Sequence, residues 1–241
     1  MCYITQETHG LYQGTRVAIT HRWDLSPQEA FALQSELAAQ VETHPRLGSV
    51  QGVAGIDVSI RDDVARAAVV VLDIRSLAPI DYAVATRPVT FPYIPGLLAF
   101  REGPVVLEAL ERVNIKPDLL IFDGQGLAHP RRLGIASHIG VLVDLPSIGC
   151  AKSRLCGQHE EVGQDVGEYS YLVDMGEIVG AVLRTRQRVK PVYVSIGHRI
   201  DLATSIQYVL ACGRGYRLPE TTRWAHRVAG GQPPPPRHHA P

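Results

Sequence analysis

Three acidic residues stand out by where they fall. Asp57 interrupts one apolar run, Asp123 ends another, and Glu102 lies between an aromatic loop and a helical pattern. The run Leu119-Leu120-Ile121-Phe122 is unbroken, as expected of a strand buried on both faces of a sheet. It stops abruptly on Asp123 and two glycines, Gly124 and Gly126, with His129, Arg131 and Arg132 close behind. A carboxylate at a strand tip, beside a titratable ring and two fixed cations, suits a site that handles metal and phosphate. Asp57 sits mid-strand in Val53 to Ile60, on the face shared by Gly55 and Ser59, and a buried carboxylate needs a partner or a metal. Converging carboxylates repel one another and lose hydration, so they ask for a divalent cation. An all-oxygen donor set suits Mg2+ or Mn2+ rather than zinc. Bound at a phosphodiester, such a cation activates water and stabilises the leaving oxygen. The plainer alternatives are local: Asp123 capping a turn, the glycines turning the chain, and Glu102 favoured by a helix dipole at a helix entrance.

The elements that must position these residues follow from periodicity and punctuation. Ser26-Pro27-Gln28-Glu29 is a capping box with Pro at the first helical position, and Ala30, Leu33, Leu37 and Val41 form a stripe on a helix running to about residue 42. Residues 53–60, 67–74 and 80–86 read as three strands with short connections, hence an antiparallel meander. Phe91-Pro92-Tyr93-Ile94-Pro95-Gly96 is a loop stiffened by two prolines, with Tyr93 either packed inward or projecting to stack on a base. Pro104 is expected to open the next helix, carrying Val106, Leu107, Leu110 and Val113 inward. Beyond the central strand come a helix over 133–144 and a short strand over 146–152 that ends on Lys152, one of only three lysines in the chain. A hairpin around Asp174 to Glu177, a strand over 192–198, a helix capped by Asp201 and a last helix over 220–228 carrying His226 complete the pattern. If the first and fourth strands of this mixed sheet are neighbours, Asp57 and Asp123 meet near its centre. Residues 1–24 give no clear pattern.

Composition bounds the class. The 241 residues, 45% hydrophobic and 20% charged, allow a sizeable core. No repeat or interior linker appears, so one domain is expected over 1–229, followed by a disordered Pro-rich tail over 230–241. The start of the chain has no basic segment leading into an apolar one, and the longest apolar run, Ala67 to Leu72, is far too short for a bilayer. No membrane and a cytoplasmic setting are therefore expected. Cys2, Cys150, Cys156 and Cys212 form no CxxC pair, which reads as reduced thiols without structural zinc. A net charge of zero speaks against coating nucleic acid nonspecifically, but leaves room for a local basic groove.

Three segments, Gly55 to Val58, Phe91 to Pro104 and Asp123 to Gly134, resemble the endonuclease V family in the family's order. Gly197-His198-Arg199-Ile200 and Tyr216 to Arg223 extend the resemblance, which covers roughly residues 20–229. It implies an α/β, ribonuclease-H-like mixed sheet flanked by helices, and Mg2+-dependent nicking (Mn2+ substituting) of deoxyinosine-containing DNA at the second phosphodiester bond 3′ to the lesion. Some members prefer inosine-containing RNA, so damaged DNA is the expected partner and RNA the alternative, for a chain expected to act as a monomer. By motif, Asp57, Glu102 and Asp123 are implied to be the metal-binding and catalytic acids, Lys152 a phosphate contact and His226 an auxiliary group. Tyr93 is implied to be the wedge beside an extruded base, with Gly96, Gly126 and His129 at the base pocket. Gln125 stands where the family pattern also includes His, and no role is assigned to it. A junction-resolving nuclease of the same fold would share the acids but lack the loop from Phe91 to Gly96. A non-catalytic nucleic-acid-binding module is a further alternative, against which the intact acid set argues.

Overall fold

Strand β3 (Gly52–Arg61) turns on Asp62 and Asp63, both left-handed with φ 49° and 54°, straight into β4 (Val64–Asp73). A two-residue connection with positive φ at both positions matches the twist of the flanking strands, and short Asp side chains tolerate that backbone. With β5 (Pro79–Pro88) these strands form the expected antiparallel meander. The computed structural model describes residues 4–5, 15, 17–234 and 236. Before the meander, β1 (Ile4–Thr5) pairs with β2 (Thr20–His21), a contact with no counterpart in the sequence reading. Helix α1 (Pro27–Ala38) follows, with both bonds of its capping box formed, and ends earlier than its apolar stripe.

The centre of the sheet is β6 (Leu119–Phe122), parallel to β3 on one side and to β7 (Ser147–Ala151) on the other. Strands β8 (Tyr169–Asp174), β9 (Glu177–Leu183) and β10 (Val192–His198) extend it antiparallel, giving the order β5-β4-β3-β6-β7-β10-β9-β8. Leu120 and Phe122 face a core shared with α1, α2 (Leu98–Glu111) and α3 (Ile135–Val143), while Leu119 and Ile121 face the opposite core under α4 (Leu202–Ala211). That two-sided burial is why β6 reads as a continuous apolar run. Helix α5 (Glu220–Ala229) covers β4 through Val228 and Ala229.

Helix α2 corrects one expectation. It begins at Leu98, and Pro104 lies inside it rather than at its start. Pro104 is the seventh of the helix's 14 residues, so its missing N–H costs a hydrogen bond and its ring crowds the Phe100 carbonyl, a cost the helix bears in mid-course. Glu102 therefore sits in the second turn, beyond the orphan N–H groups that would favour an acid. At the other end, Gly230, Gly231 and Gln232 bond back to His226, Val228 and Arg227, while residues 235 and 237–241 of the expected tail lie outside the described residues. Cys150, Cys156 and Cys212 are free thiols, and Cys2 is outside the described residues. No helix among the described residues is long and apolar enough to cross a membrane.

Candidate active site

The parallel pairing of β3 with β6 brings Ile56 opposite Phe122, and the Asp123 N–H donates to the Ile56 carbonyl at 3.0 Å. The next residues along, Asp57 within β3 and Asp123 just past the end of β6, are thereby held side by side. Gly55 explains what covers them: a Cβ there would lie 1.9 Å from the Thr221 carbonyl oxygen. Only glycine lets the first turn of α5 rest directly on β3. One further turn along, α5 delivers His226, whose Nδ1 is 2.7 Å from Asp57 Oδ2. Lys152, immediately after β7, forms an ion pair with Asp123.

Among the described residues, Asp57, Asp123 and His226 form a group whose donor atoms lie within 4.8 Å of one another. Their electrostatics are under-compensated. Burial, then the charge of Asp123, raises the Asp57 pKa, against the opposing hydrogen bond from His226. Glu102 lies outside that group of three, yet burial and then the charges of Asp57 and Asp123 push its carboxyl up to about 8. Like charges and lost hydration at one spot are what a bound divalent cation relieves. His226 already directs Nδ1 to Asp57, an arrangement that orients a metal-binding carboxylate rather than offering that nitrogen to the ion.

Beside Asp123 opens a cavity of about 350 Å³, walled by Tyr93 to Gly96, Leu98, Gly124, Gln125, His129, Ile135 and the segment from Ala151 to Leu155, among others. Pro95 and Gly96 make the turn that closes Leu97 N–H onto the Ile94 carbonyl, and Gly96 takes φ +80°, a value that suits glycine at this turn position. Tyr93 is 72% exposed, so it projects from the loop instead of packing into the core. The Gly96 carbonyl accepts from Gln34 Nε2 (2.9 Å), Arg131 Nη2 (3.0 Å) and His129 Nε2 (2.9 Å). His129 Nδ1 in turn accepts from the Arg131 backbone N–H. Burial, then Arg131, lowers the His129 pKa to about 4, so it bridges the two loops as a neutral ring.

The site residues expected from sequence thus divide. Asp57, Asp123, Lys152 and His226 converge, with Glu102 coupled to them by charge, and Tyr93, Gly96 and His129 border the adjoining cavity. Gly126 does not belong with them. It is buried, its N–H donates to Ser195 Oγ (2.8 Å), its carbonyl accepts from Gly134, and a Cβ would lie 2.0 Å from the Ile196 carbonyl oxygen. Its backbone is spent on packing the loop against β10, and of the two glycines that follow Asp123 it is Gly124 that lines the cavity. Gln34, another partner of Gly96, has no place among the site residues expected from sequence, and Arg131, expected there as a fixed cation near the acid, proves instead to hold the Gly96 carbonyl. A signal was present: Gln34 falls four residues after Ala30, on the apolar stripe of α1, and is buried there.

Comparison with known proteins agrees with this geometry. The Endonuclease V family model matches residues 35–227. The chain is 57% identical over 207 residues to Endonuclease V of Roseiflexus sp. (strain RS-1), covering 86% of this chain and 93% of that protein. The crystal structure of Endonuclease V from Streptomyces avermitilis superposes with a TM-score of 0.83 at 44% identity, covering 86% of this chain and 93% of that one. Endonuclease V of Ciona intestinalis, solved in complex with a 23mer DNA containing an inosine followed by a ribo-adenosine, superposes with a TM-score of 0.73 at 26% identity, over 86% of this chain and 97% of that one.

Proposed function

Since this chain belongs to the endonuclease V family, we propose that it is a DNA repair endonuclease that nicks deoxyinosine-containing strands at the second phosphodiester bond 3′ to the lesion. The observation that carries this reading is the adjacency of two different sites. A carboxylate pair with Lys152 and His226 adjoins, through Asp123 and Lys152, a cavity flanked by an exposed tyrosine on a stiff loop. The Ciona relative bound to inosine-containing DNA supports the choice of substrate.

Asp57, Asp123 and Glu102 would hold a divalent cation, Mg2+ with Mn2+ as a substitute, and the burial and neighbouring negative charge that raise the Asp57 and Glu102 carboxyls fit that role. When bound, the ion supplies Lewis acidity toward the phosphate and a lowered pKa for water. His226 Nδ1 donates to Asp57 Oδ2 and fixes the carboxylate's orientation. Lys152, 40% exposed beside Asp123, directs its ammonium where a phosphate oxygen can replace part of that ion pair. Tyr93 stacks where the lesion has left the helix, and the cavity beyond receives the extruded base, lined by main chain at Gly124 and by the neutral His129. One domain spans 1–229, with the Pro-rich stretch 230–241 outside it, and the protein works in the cytoplasm.

The test is a side-by-side nicking assay with Mg2+ on one sequence made as inosine-containing DNA, inosine-containing RNA, undamaged DNA and a four-way junction. Nicking of the inosine DNA alone, or well ahead of the rest, is expected. Preference for the RNA or for the junction would overturn the substrate while leaving the acid site in place.

A further inference from the structure

Resting on that reading of Lys152, we infer that Arg217 is the positioning residue that sets Lys152 against Asp123. Arg217 lies in the segment between α4 and α5, far from the acids in sequence, and the mechanism above makes no use of it. Its Nη2 donates to the Lys152 carbonyl and, at 2.9 Å, to the Pro191 carbonyl. The Arg217 carbonyl is itself held by the Thr185 hydroxyl. Among the described residues no carboxylate pairs with Arg217, so this half-buried cation is committed to neutral carbonyls.

The choice of carbonyls is informative. The pairing of β7 with β10 begins at Ala151 and Tyr193, so Lys152 and Pro191 lie just beyond the ladder on neighbouring strands. Without the sheet to hold it, the main chain at Lys152 would be free to splay, and four rotatable side-chain bonds would amplify the movement at Nζ. The two N–H bonds of Nη2 diverge within the rigid guanidinium plane and clip two strand ends at a set separation. The same segment runs into α5, whose Pro219 cap precedes the turn packed on Gly55 and whose His226 meets Asp57. One side chain thus ties the Lys152–Asp123 side of the site to the element that bears His226.

The prediction is coupling. Wild type, R217Q, K152A and the double variant are compared in single-turnover nicking of an inosine duplex with Mg2+, and in binding of the same duplex in EDTA. R217Q is expected to slow nicking by about 10- to 100-fold, the range for residues that orient a catalytic group, with binding little changed. In the K152A background the same substitution should cost no more than about twofold, because no ammonium remains to be positioned. An equal cost in both backgrounds would overturn the inference. If R217Q does not fold, R217K carries the same cycle, since a lysine ammonium stops one bond short of the Nη2 position that meets both carbonyls. A wild type that nicks the duplex while the cycle is additive defeats only the role of Arg217. A wild type that leaves the duplex intact removes the substrate reading on which that role rests.

Discussion

Asp123 and the turn at Gly96 border one cavity, yet their surroundings are satisfied in opposite ways. Around the acids, burial and gathered negative charge outrun what the fold compensates: Lys152 pairs with Asp123 and His226 with Asp57, but Asp57 and Glu102 are still pushed toward protonation. Around the loop, everything is closed internally: one carbonyl takes donors from Gln34, His129 and Arg131, and the imidazole in their midst is neutral. The acid side is therefore completed by something from outside, while the loop side is shaped before anything arrives. Such pre-shaping reduces the entropy lost on binding. A cavity edged by both can couple recognition of a base to chemistry at a phosphate.

The sharpest test of the contrast is Asp57→Asn. Single-turnover nicking should fall by on the order of 10²–10³-fold, as for loss of one preorganised charge-stabilising group. In EDTA the variant should melt no lower than wild type, because one repelling charge is gone while the carbonyl can still accept from His226. A variant that melts well below wild type without metal would show that the acid cluster is already satisfied.

Next in size is Gly126→Ala. A Cβ pressed against the β10 backbone should cost about 1–3 kcal/mol or more, since a main-chain oxygen cannot swing aside as a side chain can. Differential scanning calorimetry should show this as a loss of roughly 2–4 °C for each kcal/mol. A melting point equal to wild type, with impaired lesion binding, would return Gly126 to the pocket.

Tyr93→Ala tests the pre-shaped side. With the ring 72% exposed, the melting temperature should hold. Affinity for inosine duplex should drop by about 1–3 kcal/mol, the worth of one stacked base, with discrimination against undamaged DNA narrowed. Unchanged fluorescence-anisotropy binding curves would remove the wedge role.

The gentlest effect is a slope with pH. Glu102 holds its proton more tightly in the folded chain, at about 8, than at its ordinary value of 4.5. Its contribution to stability is complete below about pH 4.5 and lost as pH rises through about 8. Chemical denaturation in EDTA should show wild type losing stability across that window relative to Glu102→Gln. With metal present the difference should flatten. Parallel profiles in EDTA would mean that neither burial nor the aspartates raise the Glu102 carboxyl.

Much of this was readable in the chain because it is local. The capping box at Ser26, the two-sided apolar run ending at Asp123 and the break in pattern at Asp57 are short-range signals, and each appears where expected. The meeting of the two aspartates was legible only on the condition that the first and fourth strands are neighbours, and the parallel register of β3 with β6 meets that condition. The Phe91 to Gly96 loop was likewise legible, since proline fixes its own φ and glycine admits the positive φ that a tight turn asks for.

What the chain alone could not decide depends on which backbone comes close from far away in sequence. Gly55 and Gly126 look alike in sequence, and both prove to be contact glycines, one under α5 and one against β10. Pro104 read as a helix start because proline's local cost argues for one, and the core packing of Phe100 and Leu97 carried the helix back past it. Gln34 and Arg217 gave only faint signs, because a hydrogen bond to a distant carbonyl leaves no periodicity behind. Types and spacing determined which atoms could do chemistry. The tertiary structure decided which were free to do it, because burial, charge and close approach depend on neighbours that the order of residues does not name.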